Sequence, residues 1–169
     1  MTSSDQKEFL KRAMNYCALA ERCTHDLVKK MTEWEVPEEE FESILERLRQ
    51  EKFLDDDRYA NSFVADKWKL DQWGRSKISN GLFHKGFGEL QIQQALDTID
   101  QDEYVGVMES VLTRKRETIK SEVPIQQMKK IISFGTSRGY EEELIWKWLE
   151  KEGLSFDAAN TIDDEGEGF

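Results

Sequence analysis

The residues of this chain that could do chemistry are few, and their spacing does not suit a reactive site. His25 and His84 have no partner histidine, cysteine or carboxylate set at the spacing of metal ligands. Asp55, Asp56 and Asp57 are consecutive at a predicted helix start, where three carboxylates do not converge on one ion but do cap a helix. A glycine-rich phosphate loop and a nucleophile elbow are both absent from the sequence. We therefore expect no enzyme activity, no metal and no cofactor.

The two cysteines and the distribution of apolar residues predict the cellular compartment of the protein. Cys17 and Cys23 lie six positions apart on a predicted helix and at its end, a spacing that suits neither a disulfide framework nor a zinc site. We interpret both as buried thiols of a reducing environment. The first residues carry no apolar secretory segment, and no apolar run approaches the ~18 residues of a membrane span. We expect a cytoplasmic protein with no membrane partner.

The charge pattern favours a binding protein. The net charge of −11 argues against a general nucleic-acid-binding protein. Basic residues nevertheless outnumber acidic ones in 66–85 and in 107–138. Most single charges there are expected to be solvated helix surface. The candidate residues for binding a partner or DNA are Lys67, Lys69, Arg75, Lys77, Lys85, Arg114, Lys115, Arg116, Lys120, Lys129, Lys130 and Arg138.

The elements that must position these residues are helices. Proline is scarce, strand-like alternation is not sustained, and apolar residues recur at helical spacing. Thr24 is predicted to cap the second helix, Pro37 to lie in the first turn of the third, and Pro124 to open a later one. The segment Val36–Leu48 recurs about 50 positions on, and again after a similar interval, which is the mark of a repeat architecture.

We predict an all-α fold of three tandem three-helix repeats, each resembling a helix-turn-helix. The repeats span residues 4–53, 54–99 and 100–153, and an acidic, disordered tail follows at 154–169. Because each repeat is too small to bury its own apolar faces, stacking must complete the core. The expected result is an elongated, curved array with a long concave surface instead of a deep pocket.

The third helix of each repeat would be the recognition helix of a duplex-reading protein. Two of these helices begin with acidic runs, Glu38–Glu40 and Glu141–Glu143, and the one between them is almost uncharged. Carboxylates in a major groove would repel phosphate. Sequence-specific reading of duplex DNA is therefore disfavoured, and the basic groups lie on the first and second helices instead.

At the centre of the chain, one string is specific enough to show a resemblance. Residues 53–64, FLDDDRYANSFV, closely resemble the L-[DN]-D-x-R-[FY]-A-x-x-[FW] signature of the bacterial RecX proteins. Residues 73–87 look like that family's G-x-x-x-I…K-G segment, and the order and spacing fit from about residue 8 to 153. The chain departs from the family pattern at Arg75, at Gly81 and in its acidic balance.

The motif residues are expected to have mainly structural roles. Arg58 is predicted to pair with a carboxylate such as that of Glu51, and Trp68 and Trp73 to fill a seam between repeats, although both tryptophans could stack on bases. The residues assigned structural roles are Leu54, Asp55, Asp56, Arg58, Tyr59, Ala60, Phe63, Gly74, Ile78, Leu82, Gly86 and Phe87.

The resemblance implies a regulator of the RecA recombinase. Such proteins lie in the groove of the RecA filament on single-stranded DNA and inhibit ATP hydrolysis, strand exchange and filament growth. We hypothesise that the basic residues contact either acidic filament surface or the bound strand, and we expect a monomer. Two alternatives stay open: a DNA-binding module that acts alone, and a helical adaptor for another protein.

Overall fold

Within the described residues, 3–154 of the computed structural model, every regular element is an α-helix. In chain order the helices are α1 (Ser3–Leu19), α2 (Thr24–Glu33), α3 (Glu38–Gln50), α4 (Asp56–Lys69), α5 (Arg75–Phe83), α6 (Glu89–Leu96), α7 (Gln101–Glu117), α8 (Pro124–Ser137) and α9 (Glu142–Lys151). This confirms the all-α fold. The predicted acidic tail, from residue 155 onwards, lies outside the described part. None of the helices between residues 3 and 154 has the length and apolar character needed to cross a membrane.

The helix starts follow their local signals with two corrections, and the first is that Pro37 is the N-cap residue of α3 and not part of its first turn. Pro124 is the first residue of α8, and Asp100 caps α7 by accepting a hydrogen bond of 2.9 Å from the Glu103 N–H. Thr24 is not a cap, because it is the first helical residue of α2 and Cys23 occupies the cap position without a side-chain hydrogen bond. The Thr24 N–H and hydroxyl instead donate to the Asp56 carboxylate, at 2.7 and 2.6 Å. The Asp56 carboxylate, which is distant in sequence, thus accepts hydrogen bonds at the start of α2.

The chain forms two compact units. The first unit comprises residues up to 63 together with 81–95, and the second comprises 64–80 together with residues from 96 onwards. The division falls within α4 and α5. The three repeats inferred from the sequence are a different partition of the same helices, and their boundaries stay a prediction, as does the curved array.

The first unit has an apolar core supplied by α1, α2 and α3. The apolar residues that recur at helical spacing in the sequence form this core. At the edge of the core, Phe9, Leu10, Met14, Val28 and Phe41 are only half-buried. Removing these side chains from water supplies most of the favourable free energy of folding. The buried core residues are Ala13, Cys17, Leu27, Met31, Val36, Ile44, Leu45, Leu48 and Leu54.

The second unit packs α8 against both α7 and α9. A glycine permits this contact, since a Cβ on Gly135 would lie 2.6 Å from Ile145 Cδ1 and 3.2 Å from Leu112 Cδ2. The helices therefore approach more closely than any larger residue at 135 would allow. The fully buried side chains of these three helices are Tyr104, Met108, Leu112, Met128, Ile131, Ile145 and Leu149.

Both cysteines are buried free thiols, as the sequence predicts. Burial disfavours the thiolate and raises the pKa of Cys23 to about 11 from the ordinary value of 9.0. A raised folded-state pKa contributes stability that is complete below pH 9 and is lost as the pH rises toward 11. The stability of the native chain should therefore fall in this window partly because of Cys23.

A comparison with the variant Cys23→Ala measures this contribution. Between pH 8 and pH 10.5, the free energy of unfolding of the native chain should fall by about 2 kcal/mol more than that of the variant. Urea unfolding followed by circular dichroism at the two pH values gives both slopes. Equal losses in the two proteins would show that the pKa of Cys23 is the same in the folded and the unfolded chain, so that burial does not raise it.

Candidate partner-binding surface

In the first compact unit, Lys85 holds the turn after α5 against α2. Its ammonium group lies 2.9 Å from both carboxylate oxygens of Asp26 and 5.6 Å from the centre of the Tyr59 ring. The ring of Phe87 stacks on Tyr59 with centroids 6.0 Å apart. Gly86, between Lys85 and Phe87, has a φ of 80°, which glycine adopts without strain. We call this set of contacts the first junction.

In the second compact unit, Arg75 is the first residue of α5 and contacts the start of α9. Its guanidinium donates to Glu141 at 3.0 Å and to Gln101 at 2.9 Å, and it lies 4.1 Å from the centre of the Tyr104 ring. The Tyr104 hydroxyl donates to Glu141 at 2.6 Å and accepts from the Arg75 N–H at 3.0 Å. Burial, together with the hydrogen bond to Glu141, raises the pKa of Tyr104, so the hydroxyl remains a donor.

The turn between α8 and α9 completes these contacts, which we call the second junction. Arg138 donates to the carbonyl oxygens of Asp71 and Gln72 at 2.7 and 3.2 Å, and the Tyr140 hydroxyl donates to Gln72 at 2.8 Å. The Gly74 N–H donates to the Arg138 carbonyl at 2.8 Å. Gly139, with a φ of 89°, shapes the turn. The backbones meet directly here, and no side chain lies between them.

The two junctions have the same plan, which gives the sequence periodicity a physical meaning. Lys85-Gly86-Phe87 serves the first junction, and Arg138-Gly139-Tyr140 serves the second. In each, a basic residue satisfies oxygen atoms, a glycine has positive φ, and an aromatic ring packs on a tyrosine. The repeat seen in the sequence is therefore a repeated contact.

The structure divides the candidate cations into two groups. Lys67 pairs with Asp71 at 2.6 Å and Arg116 with Glu152 at 2.7 Å, and Arg114 donates to the Gln72 side chain at 2.7 Å. With Arg75, Lys85 and Arg138, these residues are committed to contacts inside the protein. The remaining candidates have no carboxylate partner within the described residues and are Lys69, Lys77, Lys115, Lys120, Lys129 and Lys130.

Three of the unpaired lysines surround an aromatic ring in the second unit. A shallow cleft of about 380 Å³ is lined by Lys115, Lys129, Lys130, Ser133, Phe134 and Ser137. The Lys115 ammonium lies 5.1 Å and the Arg138 guanidinium 5.7 Å from the centre of the half-buried Phe134 ring. No carboxylate lines this lysine cleft, although the whole chain carries a net charge of −11.

The family-motif residues are found mainly inside the protein. Asp55 caps α4 by accepting from the Arg58 N–H at 2.9 Å. Arg58 pairs with Glu21, through two contacts of 2.8 Å, and not with Glu51 as expected, because Glu51 pairs with Arg47. The buried motif residues are Leu54, Ala60, Gly74, Ile78, Leu82 and Phe87, whereas Asp56, Tyr59 and Phe63 are half-buried, and Asp55, Arg58 and Gly86 are exposed.

The two tryptophans differ in exposure. Trp68 is only 4% exposed, whereas Trp73 is half-buried, with the ammonium groups of Lys67 and Lys77 at 4.6 and 4.5 Å from its ring centre. Cations at this distance are attracted by the ring quadrupole.

Sequence reasoning missed the partners that complete the second junction. The sequence shows Glu141 only as part of an acidic run, yet the Glu141 carboxylate accepts hydrogen bonds from both Tyr104 and Arg75. The match between Lys85-Gly86-Phe87 and Arg138-Gly139-Tyr140 was the signal that could have located this contact. Across residues 3–154, no cluster of three or more histidine, cysteine or carboxylate side chains could hold a metal ion.

Comparisons with known proteins agree with the fold and its central motif. A family model for the second three-helix domain of RecX matches residues 55–96. The regulatory protein RecX of Limosilactobacillus reuteri is 38% identical over 95 residues, which cover 56% of this chain and 36% of that protein. The regulatory protein RecX of Levilactobacillus brevis is 28% identical over 138 residues, covering 82% and 52%. The chain thus spans only about a third to a half of the length of these relatives.

Solved structures lead to the same family. A crystal structure of a regulatory protein RecX superposes with a TM-score of 0.79 at 26% identity, covering 86% of this chain and 73% of that one. The structure of RecX from Lactobacillus salivarius superposes with a TM-score of 0.80 at 18% identity, covering 91% and 100%, and shows the shared fold alone. In its central motif, its relatives and its all-helical fold, the chain is similar to the RecX proteins.

Proposed function

We propose that this chain regulates the RecA recombinase by binding its filament on single-stranded DNA and inhibiting ATP hydrolysis, strand exchange and filament growth. The observation that carries the proposal is the match of residues 55–96 to the second three-helix domain of RecX. Relatives that share this sequence are named as regulatory proteins. The role is a regulatory one in recombination and repair, it requires no catalytic residue on this chain, and it places the protein in the cytoplasm as a monomer.

Charge and apolar surface supply the binding. The unpaired lysines, including Lys69, Lys129 and Lys130, attract acidic surface or DNA and set the association rate, whereas buried apolar contacts supply affinity. Exposed apolar side chains are available for the second role, since Phe83 is 66% and Leu90 71% exposed in the first unit. Side chains of this size exposed to water gain free energy when a partner covers them.

The sequence-based test of this surface needs a correction. The basic residues of the sequence suggest that neutralising Arg75, Lys77 and Lys85 together weakens filament binding without unfolding the chain. Arg75 and Lys85 each hold a junction, through Glu141 and Asp26, so their loss also removes structural contacts. Of the three, only Lys77 has no carboxylate partner within residues 3–154. A loss of binding in the triple variant would therefore not locate the binding surface.

The ATPase rate of RecA on single-stranded DNA, measured as this chain is added, tests the proposal. Inhibition well below one chain per RecA would favour blocked growth at filament ends, and inhibition only near equal amounts would favour occupancy of the filament groove. An unchanged rate with RecA from the same organism, at concentrations where the chain is folded by circular dichroism, would contradict the proposal and favour the adaptor alternative.

A further inference from the structure

We propose that the lysine cleft of the second unit binds single-stranded nucleic acid, with phosphates on Lys129 and Lys130 and a base against Phe134. The proposal rests on the proposed function for the source of the strand, which would be the DNA in the RecA filament. Of the two possible partners of the basic residues, the bound DNA strand and acidic protein surface, we assign the strand to this cleft. The chemistry of the cleft stands on contacts of this chain alone.

The charges of the cleft suit a polyanion. Lys129 and Lys130 are exposed, and neither they nor Lys115 have a carboxylate partner in the part of the chain that the structure describes. Arg138 adds a fourth positive charge, because backbone carbonyl oxygens hold its guanidinium without neutralising it. The residues that line the cleft include no carboxylate. The charge of the cleft is therefore not cancelled by its neighbours.

The aromatic ring favours a nucleic acid over an acidic peptide as the ligand of the cleft. Phe134 is half-buried, so part of its ring is accessible within the cleft. Every base has a flat π-face that stacks on such a ring without regard to sequence, whereas a run of carboxylates has none. The exposed hydroxyl of Ser133 adds a hydrogen-bond donor for a phosphate oxygen. Cations, a hydroxyl and an accessible ring together match a single strand.

A single strand also fits the shape of the cleft better than a duplex does. The cleft is shallow and its ring lies among lysines, so an unpaired base can reach the ring while the flanking phosphates reach the ammonium groups. Bases inside a duplex are already stacked and are not available to a protein ring. Binding should therefore favour single-stranded over double-stranded DNA.

Fluorescence anisotropy with a labelled oligothymidylate and the full chain, without RecA, tests the proposal across salt concentrations. For Lys129→Gln/Lys130→Gln, the slope of log affinity against log salt should fall in magnitude by about 1.4, because each phosphate contact to a single strand contributes ~0.7. For Phe134→Leu, affinity should fall about tenfold with an unchanged slope, because stacking is lost and charge is not.

A matched control removes the same charge at another place. Lys11 and Lys29 are exposed and lie in the first unit, so Lys11→Gln/Lys29→Gln has the same net charge as the cleft variant. This control should leave both affinity and slope close to native. Equal losses in the two double variants would overturn the proposal, because net charge and not the cleft would then govern binding. So would the absence of oligothymidylate binding by the native chain.

Two further experiments distinguish a failure of this inference from a failure of the proposed function. In the first, poly-glutamate is added at equal charge concentration to compete with the oligonucleotide. If poly-glutamate displaces the oligonucleotide and Phe134→Leu does not change the affinity, the cleft binds acidic protein surface and the proposal of a nucleic-acid strand is overturned. Inhibition of the RecA ATPase is then measured with the same variants. If the native chain inhibits RecA but binds no oligothymidylate, the regulatory function stands and the cleft proposal fails. Strand binding without inhibition would support the cleft and contradict the regulatory function.

Discussion

Replacing Gly74 with alanine is expected to destabilise the protein by about 3 kcal/mol, the upper end of the range typical of core overpacking. An added Cβ would overlap the carbonyl carbon and oxygen of Gly139 and the nitrogen of Tyr140. These are backbone atoms held by the hydrogen bonds of the second junction, so they cannot turn aside as a flexible side chain would. The free energy of unfolding in urea, followed by tryptophan fluorescence, measures the effect.

Gly106 offers the matched control. It lies within α7, and no atom comes within 4 Å of a Cβ built on it. Because alanine is favoured over glycine inside a helix by about 1 kcal/mol, Gly106→Ala should stabilise the chain or leave it unchanged. Similar losses for the two alanine variants would show that the second junction does not need glycine at position 74.

Replacing Phe87 with alanine is expected to cost about 3–5 kcal/mol, the range for deleting a buried phenylalanine ring. Phe87 is 5% exposed, and its ring stacks on Tyr59 in the first junction. The deletion leaves a cavity and also removes the aromatic contact. The midpoint of urea unfolding should therefore fall well below that of the native chain.

Phe83, four positions earlier, is the matched control for this prediction. It is 66% exposed, so Phe83→Ala should change the free energy of unfolding by no more than about 0.5 kcal/mol. The same variant also informs on function. If the exposed ring contacts RecA, Phe83→Ala should reduce inhibition of RecA while leaving the stability of the chain intact. A Phe87→Ala variant as stable as Phe83→Ala would contradict the assignment of Phe87 to the core of the first junction.

Several features followed from local sequence. The helical spacing of apolar residues predicted the stripes of α2, α3 and α8, and Asp100 and Pro124 marked helix starts. Such signals are local, because a cap or an amphipathic face depends on residues within one or two turns. The string around Arg58 also indicated the resemblance to the RecX proteins, and residues 55–96 match the family model for the second three-helix domain of RecX.

Ion-pair partners could not be predicted in the same way. Arg58 finds Glu21 and Lys85 finds Asp26, at separations of 37 and 59 residues. Many carboxylates of this acidic chain were equally available to each cation, and sequence distance does not rank them. The choice depends on which surfaces the packed helices bring within about 3 Å, the length of a charge-assisted hydrogen bond.

By itself, the sequence determined that this chain is helical and repetitive and that its central motif is that of the RecX family. Only the tertiary structure decided which cations are free. Arg75, Lys85 and Arg138 looked like binding residues because charge is visible in a sequence and the contacts that hold a charged side chain are not. Packing assigned these three to the junctions and left Lys129 and Lys130 exposed beside an aromatic ring, because only a folded chain fixes distances between residues far apart in sequence.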